Sequence, residues 1–470
     1  MRTRLGIVDA LASFFEGKLY PILVAVIVLA GHVSGYEFYF NIIHVLLISL
    51  AFCVCRSVRP MLIVVPTFIC QVSLEHTPAV PTYSDYYFTE WRLPVVVVLG
   101  VIVLLSIGCF AVRNGFAEKI RRGRLPLFGS IVFLSVAFLL NGFDSATWTP
   151  QGFAFGTSQI LVYGVLFYLF YLGFSEKDRG ESLIDYFSYI TLIISYVMIV
   201  EIAFMFISGG VFSESGAIMK QNVTLGWATC NPLGAVLVTL IPGLFLGAMR
   251  NKYGWLYFVT AGVVYAAAIT TCSRNALLFG SITFLVCMII ACFKSGSRRT
   301  AFRIILILFL VGLAVAAIVF KEKILEVFDS FVKQGANDNG RFLLWGLAWQ
   351  IFSENPVFGA CFFALKNDMV YESIAIMPVM AHNTILELLS STGAVGLLAY
   401  AFYQGASAKI FIEKPTLAKS MLGIICLVIV VQSLLDVFVF CYYTMFYPIA
   451  ALAVACRIGE GAPAQKSLVK

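Results

Sequence analysis

Apolar runs close to twenty residues long recur from one end of this chain to the other. An α-helix needs about 20 residues to cross ~30 Å of hydrocarbon, so each run specifies a possible membrane span. Helices are the expected form because backbone polar groups must be paired inside the bilayer, and the short alternating segments of a membrane barrel are absent. With 60% hydrophobic and 12% charged residues, the apolar surface is too large for a soluble core. The sequence predicts an all-α polytopic integral membrane protein.

The apolar runs predict about 12–14 transmembrane helices, of which the third is the shortest. The first run follows the basic residues Arg2, Arg4 and Lys18 and has features of a secretory signal. A second run begins at Phe38, so we interpret the first as an uncleaved helix. The runs lie at residues 19–35, 38–54, 61–72, 94–112, 125–140, 153–174, 187–207, 227–248, 255–269, 276–293, 304–320, 384–402, 421–435 and 437–456.

Lysine and arginine cluster in alternate connections between these runs. Because cytoplasmic loops carry such an excess, the basic side is predicted to face the cytoplasm together with both termini. The net charge of +7 is explained by these anchors, and no nucleic-acid partner is implied. The basic segments are residues 56–59, 113–124, 250–252, 294–303, 409–419 and 457–470; the opposite, outer side receives residues 71–93, 141–151, 208–226 and 321–382.

Most of the twelve cysteines lie within apolar runs, where cysteine behaves as a small hydrophobic residue. Structural disulfides are therefore not predicted. Cys53 and Cys55 stand two apart at a helix end, but no histidine or second cysteine pair accompanies them. We therefore predict no metal site there.

The outer segment at residues 321–382, which precedes the twelfth span, is far longer than an ordinary helix connection. Aromatic residues at helical spacing predict that it contains a short amphipathic helix lying on the membrane surface, ended by Asn355 and Pro356. We treat residues 1–470 as a single membrane domain with a long structured extracytoplasmic loop. The aromatic stripe consists of Phe342, Trp345, Trp349 and Phe352.

One of the four histidines, His382, stands where this loop enters the next span and is followed by the potential cap residues Asn383 and Thr384. The positive end of the helix dipole disfavours its protonation, so a neutral imidazole here is suited to act as a general base. The alternative is a histidine that only caps the helix or lies among the lipid headgroups. The other histidines, interpreted as structural, are His32, His44 and His76.

Two arginines on the predicted outer side go against the cytoplasmic charge bias. Arg274 follows Ser273 at the boundary of a span, where an arginine either snorkels to the surface or binds an anion. Arg341 follows Gly340 at the start of the predicted amphipathic helix, where a guanidinium beside helix amides suits a phosphate or pyrophosphate. The alternative for Arg341 is a solvated loop residue.

Four stretches taken together resemble the successive motifs of the O-antigen ligase and polymerase superfamily. They are "NPLGAVLVTLIPG" at residues 231–243, "TTCSRNALL" at 270–278, "GRFLLWGLAWQIFSENPVFG" at 340–359 and "HNTILELLSSTGAVG" at 382–396. The resemblance covers residues 231–400, while the first half is similar only as a set of membrane helices. Two departures concern loop geometry. Ala360 and Cys361 follow Gly359 where the family often has Gly-x-Gly, and Asn275 follows Ser-Arg where a small residue is common.

The resemblance implies a glycosyltransferase of the bacterial cytoplasmic membrane, active on its outer face. It implies an undecaprenyl-pyrophosphate-linked glycan as donor and a hydroxyl of a glycan or lipid-linked acceptor. Arg274 and Arg341 would bind the pyrophosphate and His382 would take the acceptor proton, with inversion at the anomeric carbon and no metal or other cofactor. Asn383 and Glu387 are second-rank candidates for orienting the histidine or the acceptor.

Two other classes remain as alternatives. A lipid-linked oligosaccharide flippase also needs many spans and a basic cavity, but its charges are expected near the midplane, where Glu201 is the main acid. A membrane scaffold leaves the arginine and histidine set unexplained. The choice between ligase and polymerase stays open, because both activities use the same donor chemistry.

Overall fold

The computed structural model describes residues 2–65, 91–123, 125–178, 180–208, 210–213, 218–225, 229–319, 340–366 and 379–459. Within these ranges the chain forms helices and no β-strand, apart from an isolated bridge between Phe212 and Ile218. The all-α class predicted from the sequence is confirmed. Of the predicted outer loop at 321–382, the description covers residues 340–366 and 379–382.

The first half contains nine helices in the described ranges. They are α1 (Arg2–Glu16), α2 (Leu19–Ser34), α3 (Glu37–Val54), α4 (Arg92–Arg113), α5 (Phe116–Arg122), α6 (Phe128–Leu139), α7 (Pro150–Ile160), α8 (Phe167–Gly173) and α9 (Gly180–Ile207), with a π-helical segment (Leu161–Leu166) joining α7 to α8.

The second half contains eight described helices. They are α10 (Cys230–Arg250), α11 (Gly254–Thr270), α12 (Arg274–Lys294), α13 (Arg299–Val319), α14 (Arg341–Glu354), α15 (Thr384–Ile412), α16 (Leu417–Gln432) and α17 (Tyr442–Gly459).

Seven described helices are long and apolar enough to cross a membrane, taking α7 and α8 as one span (Pro150–Gly173). An eighth is added if α1 and α2, which meet at a bend of 67°, form one span, and four shorter apolar helices accompany them. The polytopic membrane class is thereby confirmed. The predicted number of about 12–14 spans depends on the shorter helices also crossing. The third apolar run, the shortest at residues 61–72, starts within a 3₁₀ helix, Arg59–Val64, and its second half lies outside the described residues.

The centre of the bundle is α10, which packs against α9, α11, α12 and α16. In the most apolar 18-residue stretch of α10, 94% of the residues are buried inside the protein, whereas the corresponding share for α4 is 11%. α10 is therefore surrounded by other helices, whereas most of α4 faces outward. Gly247 lets α11 approach closely, because a Cβ there would collide with the Tyr257 ring.

The long helix α15 is broken at Gly393, whose φ of 66° and ψ of −163° are not helical. The break frees backbone groups that pair with residues 355–363, which we call the inserted segment. Ala360 N donates to Ser390 O at 2.7 Å, and Ala394 N donates to Pro356 O at 2.9 Å. The inserted segment thus lies alongside the helix break. Its hydrogen bonds satisfy backbone polar groups that would otherwise be unpaired among apolar helices.

The opposite side of the inserted segment is held by the connection between α6 and α7. Gly142 N donates to Phe358 O at 3.0 Å, and the Cys361 thiol donates to Asn141 Oδ1 at 3.0 Å. Burial raises the pKa of Cys361, which keeps the thiol protonated and able to donate. The first half of the chain therefore contributes directly to the position of the segment that precedes the candidate site.

Candidate active site

His382 and Asp436 form a hydrogen-bonded pair. His382 lies just before α15, and Asp436 lies in the connection between α16 and α17. His382 Nδ1 lies 3.0 Å from Asp436 Oδ1. Because a carboxylate accepts, this contact favours the neutral tautomer that has its proton on Nδ1 and its lone pair on Nε2. The Asp436 side chain is 9% exposed, whereas that of His382 is 41% exposed. The carboxylate is thus buried behind an imidazole that solvent can reach.

The backbone at His382 is held in a conformation that few residues other than glycine adopt, with a φ of 50°. Bonds on both sides fix it. Trp345 Nε1 donates to Ala381 O at 2.9 Å, and Thr384 N donates to Ser433 O at 3.0 Å. Such a left-handed residue persists only when its surroundings determine it, and residues of this kind cluster at functional sites.

Glu387 acts on the backbone before His382. Its carboxylate is buried and accepts hydrogen bonds from Ala381 N at 2.8 Å and from the Ser391 hydroxyl at 2.9 Å. Ser391 also accepts a bond from the inserted segment, through Cys361 N at 3.1 Å. Glu387 therefore links Ser391, beside the break in α15, to Ala381, the residue before His382.

Asn383 is the N-cap of α15. Its Oδ1 accepts from Ile385 N and Leu386 N, and its Nδ2 donates to Leu434 O at 3.0 Å. The bonds to the first turn satisfy amides that a helix leaves unpaired. Asn383 thereby fixes the start of α15 against the turn that carries Asp436.

Asp436 has further partners. Its Oδ1 also accepts from Val437 N at 3.0 Å, and its Oδ2 lies 3.4 Å from Asn231 Nδ2 on α10. Asn231 belongs to the "NPLG" stretch that we singled out in the sequence. These bonds hold the carboxylate in one orientation behind the imidazole.

Arg274 and Arg341 each occupy the first residue of a helix, α12 and α14 respectively. Ser273 caps α12, since its hydroxyl accepts from Ala276 N at 3.4 Å. A cation at a helix N-terminus is electrostatically unfavourable, because the helix dipole already places positive charge there. An anion near either arginine would be attracted by both the guanidinium and the helix.

The turn at residues 432–436, here called the Asp436 turn, connects most of these elements. Asn275 Nδ2, next to Arg274, donates to Gln432 O at 2.9 Å. The same turn holds Thr384 and Asn383 at the start of α15. Arg341 joins through α14, because Trp345 lies one turn further along this helix and is bonded to Ala381. The segments bearing Arg274, Arg341 and His382 are thus tied into one network of hydrogen bonds, most of them from a side chain to a backbone carbonyl.

Within the described ranges, no group of three or more His, Cys, Asp or Glu side chains is arranged to hold a metal ion. His32, one of the histidines interpreted as structural, has its Nε2 at 3.2 Å from Glu201 Oε2 between α2 and α9. His44 is buried in α3, and His76 lies outside the described residues.

A comparison with protein families recognises the part of the chain that carries these residues. Residues 237–401 match the model of a family described as O-antigen ligase. We call this matched segment the O-antigen ligase domain. The match confirms the resemblance to the O-antigen ligase and polymerase superfamily that was drawn from residues 231–400. The matched segment runs from α10 into α15 and contains Arg274, Arg341 and His382. No curated protein sequence matches the chain.

Two residues of this network were not assigned a role by the sequence analysis, Asp436 and Trp345. Asp436 lies outside the O-antigen ligase domain, in the sequence "SLLDVF" between two apolar runs. A lone acid at the boundary of two spans was the available signal. Trp345 was interpreted as part of an apolar stripe, and nothing in its spacing indicates that its indole N–H binds Ala381 O.

Proposed function

We propose that this multi-pass membrane protein transfers a saccharide from an undecaprenyl-pyrophosphate-linked donor to an acceptor hydroxyl. The reaction takes place on the outer face of a bacterial cytoplasmic membrane. The O-antigen ligase domain supports a membrane enzyme acting on lipid-linked glycans. The basic loops support a cytoplasmic location for the opposite side of the protein. The acceptor is a growing glycan or a lipid-linked sugar.

The pairing of His382 with Asp436 carries the proposal. Asp436 fixes the tautomer in which Nε2 of His382 accepts a proton, the arrangement that a general base requires. The partial exposure of the imidazole leaves it accessible to an acceptor sugar. A purely structural histidine needs neither a buried, multiply bonded carboxylate nor a left-handed backbone.

In the proposed step, His382 Nε2 removes the proton of the acceptor hydroxyl while its oxygen attacks the anomeric carbon of the donor. The bond from that carbon to the pyrophosphate oxygen breaks, and undecaprenyl pyrophosphate leaves with the electron pair. Direct displacement inverts the anomeric configuration. Asn383 and Glu387 hold the backbone on both sides of the base and so position it.

Arg274 and Arg341 are proposed to stabilise the leaving pyrophosphate. Negative charge grows on this group as the glycosidic bond breaks, and fixed cations at helix N-termini stabilise the charge without reorganisation. Because the arginines supply the charge compensation and the histidine takes the proton, the scheme requires no cofactor.

The test is glycan transfer by the purified protein in lipid nanodiscs, with a fluorescent lipid-linked saccharide and its acceptor. His382→Gln retains a hydrogen-bonding side chain of similar size but accepts no proton at neutral pH. We expect turnover to fall on the order of a hundredfold or more, with donor binding retained. His382→Ala should behave in the same way. Wild-type turnover by a well-folded His382→Gln protein would rule out the general base.

A flippase predicts a different result. Transfer would then be absent from the wild-type protein, while reconstituted vesicles would move the labelled donor between leaflets. Wild-type transfer without such movement distinguishes the enzyme from a transporter.

A further inference from the structure

A cavity of about 600 Å³ opens between α5, α8 and α17, away from the candidate active site. Arg457 in its wall lies near the end of α17, whereas the Asp436 turn precedes the beginning of this helix. At ~1.5 Å per residue, the 15 steps along the helix from Tyr442 to Arg457 span ~22 Å. The cavity is therefore at the other end of the bundle and belongs to a different site.

Two cationic side chains share this cavity, Lys119 of α5 and Arg457 of α17. Each donates a hydrogen bond to a backbone carbonyl, Lys119 to one in the last turn of α8 and Arg457 to one just after this helix. Lys119 Nζ donates to Leu172 O at 2.7 Å, and Arg457 Nη2 donates to Ser175 O at 3.5 Å. Partial desolvation lowers the pKa of Lys119, although its side chain is exposed at one end; the charge of Arg457 lowers the pKa further, while Glu176 opposes this effect. The two cations thus repel each other, a cost that an anion between them would offset.

Two acids also line the cavity, so its net charge alone does not select an anion. Glu176 Oε1 lies 3.9 Å from Arg457 Nη2, at the limit of an ion pair, and its side chain is 73% exposed. Glu118 is exposed as well. Arg457, by contrast, is 11% exposed. Water therefore screens the two carboxylates more than it screens the guanidinium of Arg457. The charge in the buried part of the cavity is consequently positive.

The remaining walls suit a lipid headgroup. The Tyr171 ring lies beneath Arg457, with its centroid 5.9 Å from Cζ, and Leu125 and Leu172 supply apolar surface. The cavity lies beside the basic segment at residues 113–124, which marks the predicted cytoplasmic end of the helices. Basic pockets between membrane helices on this side bind phospholipid phosphates.

We propose that this cavity binds the phosphate of an acidic glycerophospholipid from the surrounding leaflet. Arg457 and Lys119 hold the phosphate, and the acyl chains extend along the outer surfaces of neighbouring helices. Binding requires no transfer activity, so it is measured independently of the proposed function.

The experiment uses the full chain, purified in detergent, and fluorescent phosphatidylglycerol in mixed micelles. Phosphatidylglycerol is expected to bind about tenfold or more tightly than phosphatidylcholine, and Lys119→Gln with Arg457→Gln should remove most of this difference. The matched control is Arg121→Gln, an exposed cation on the same helix α5 that does not line the cavity. This control should bind like the wild type.

If the double variant fails to elute as a folded species, Lys119→Gln alone decides, because Lys119 is exposed. The single variant should weaken phosphatidylglycerol binding severalfold and leave the elution profile unchanged. Equal binding of the two lipids, or equal losses in Lys119→Gln and Arg121→Gln, would overturn the proposal. Displacement of the lipid by millimolar inorganic phosphate would also overturn it, since the site would then require no lipid.

Discussion

Trp345 Nε1 donates a hydrogen bond to Ala381 O at 2.9 Å. This bond joins the helix that begins with Arg341 to the residue before His382. The two segments are separated by more than thirty positions in the sequence, and part of the chain between them lies outside the described residues. The bond is therefore a direct link between a proposed anion-binding helix and the proposed base.

Trp345→Phe should lower turnover, because phenylalanine keeps an aromatic ring but lacks the N–H that holds Ala381. We expect a loss of about tenfold in kcat, since a displaced base loses part of its alignment. The measurement is single-turnover glycan transfer at saturating donor. Trp349→Phe is the control, because Trp349 is 55% exposed on the same helix. Equal losses in both variants would contradict the role of the Ala381 bond.

Asp436→Asn should lower kcat strongly and leave the KM for the lipid-linked donor nearly unchanged. The amide fills the same space but no longer presents a carboxylate to His382 Nδ1, so the required tautomer loses its support. We expect a loss on the order of a hundredfold or more. Asp144→Asn, an exposed acid in the α6–α7 connection, is the control. A Asp436→Asn protein with normal kcat would show that the carboxylate does not position the base.

Arg274→Lys and Arg341→Lys keep a positive charge but lose the planar group that binds a phosphate in two places. Each substitution should reduce kcat/KM by roughly tenfold or more if the arginine grips the pyrophosphate. The measurement is transfer rate against donor concentration. Full activity in both lysine variants would leave only a general positive field at these helix ends.

Ala146→Cys and Ser297→Cys test the orientation of the bundle. Both positions are exposed, the first in the α6–α7 connection and the second in the basic segment between α12 and α13. In intact cells, a membrane-impermeant maleimide should label Ala146→Cys and spare Ser297→Cys if the basic side faces the cytoplasm, as the charge bias predicts. A variant background without exposed native cysteines serves as the blank. Labelling of Ser297→Cys alone would invert the topology.

Gly359→Ala should destabilise the protein and reduce the amount recovered from membranes. Gly359 has a φ of 69°, and a Cβ there would collide with the Ser391 backbone. The left-handed conformation alone costs about 1–2 kcal/mol, before the collision is counted. Gly346→Ala on α14 is the matched control, because open space surrounds that position. Its Tm should be equal or higher, because alanine in a helix interior is more stable than glycine by up to ~1 kcal/mol. Equal Tm values for both variants would contradict the tight fit at Gly359.

The membrane helices were predictable because hydrocarbon imposes a length and a polarity on every span. The apolar run at 38–54, for example, becomes the helix Glu37–Val54. The break of α15 at Gly393 was not predictable. Its sequence is continuous with the helix, and the bonds that compensate for the break come from the distant inserted segment.

The candidate site, too, was predictable only in part. Arg274 stands out because a charge at a span boundary is costly, and His382 stands out because it lies where the long outer loop enters a span. Both signals are visible in the neighbouring sequence. The role of Asp436 depends on how α15 packs against the turn after α16, which involves contacts between distant residues. Those contacts determine that Asp436, and not Asn383, faces the imidazole.

The inserted segment has a consequence for how this protein can be divided. It is clamped between the break in α15 and the α6–α7 connection, so residues from the first third of the chain support a loop of the O-antigen ligase domain. An excised fragment of residues 237–401 would lack Asn141 on one side and Asp436 on the other. The stretch that a family comparison recognises is thus smaller than the unit that folds, and exchange of this domain between related proteins should succeed only when the α6–α7 connection and the Asp436 turn are transferred with it.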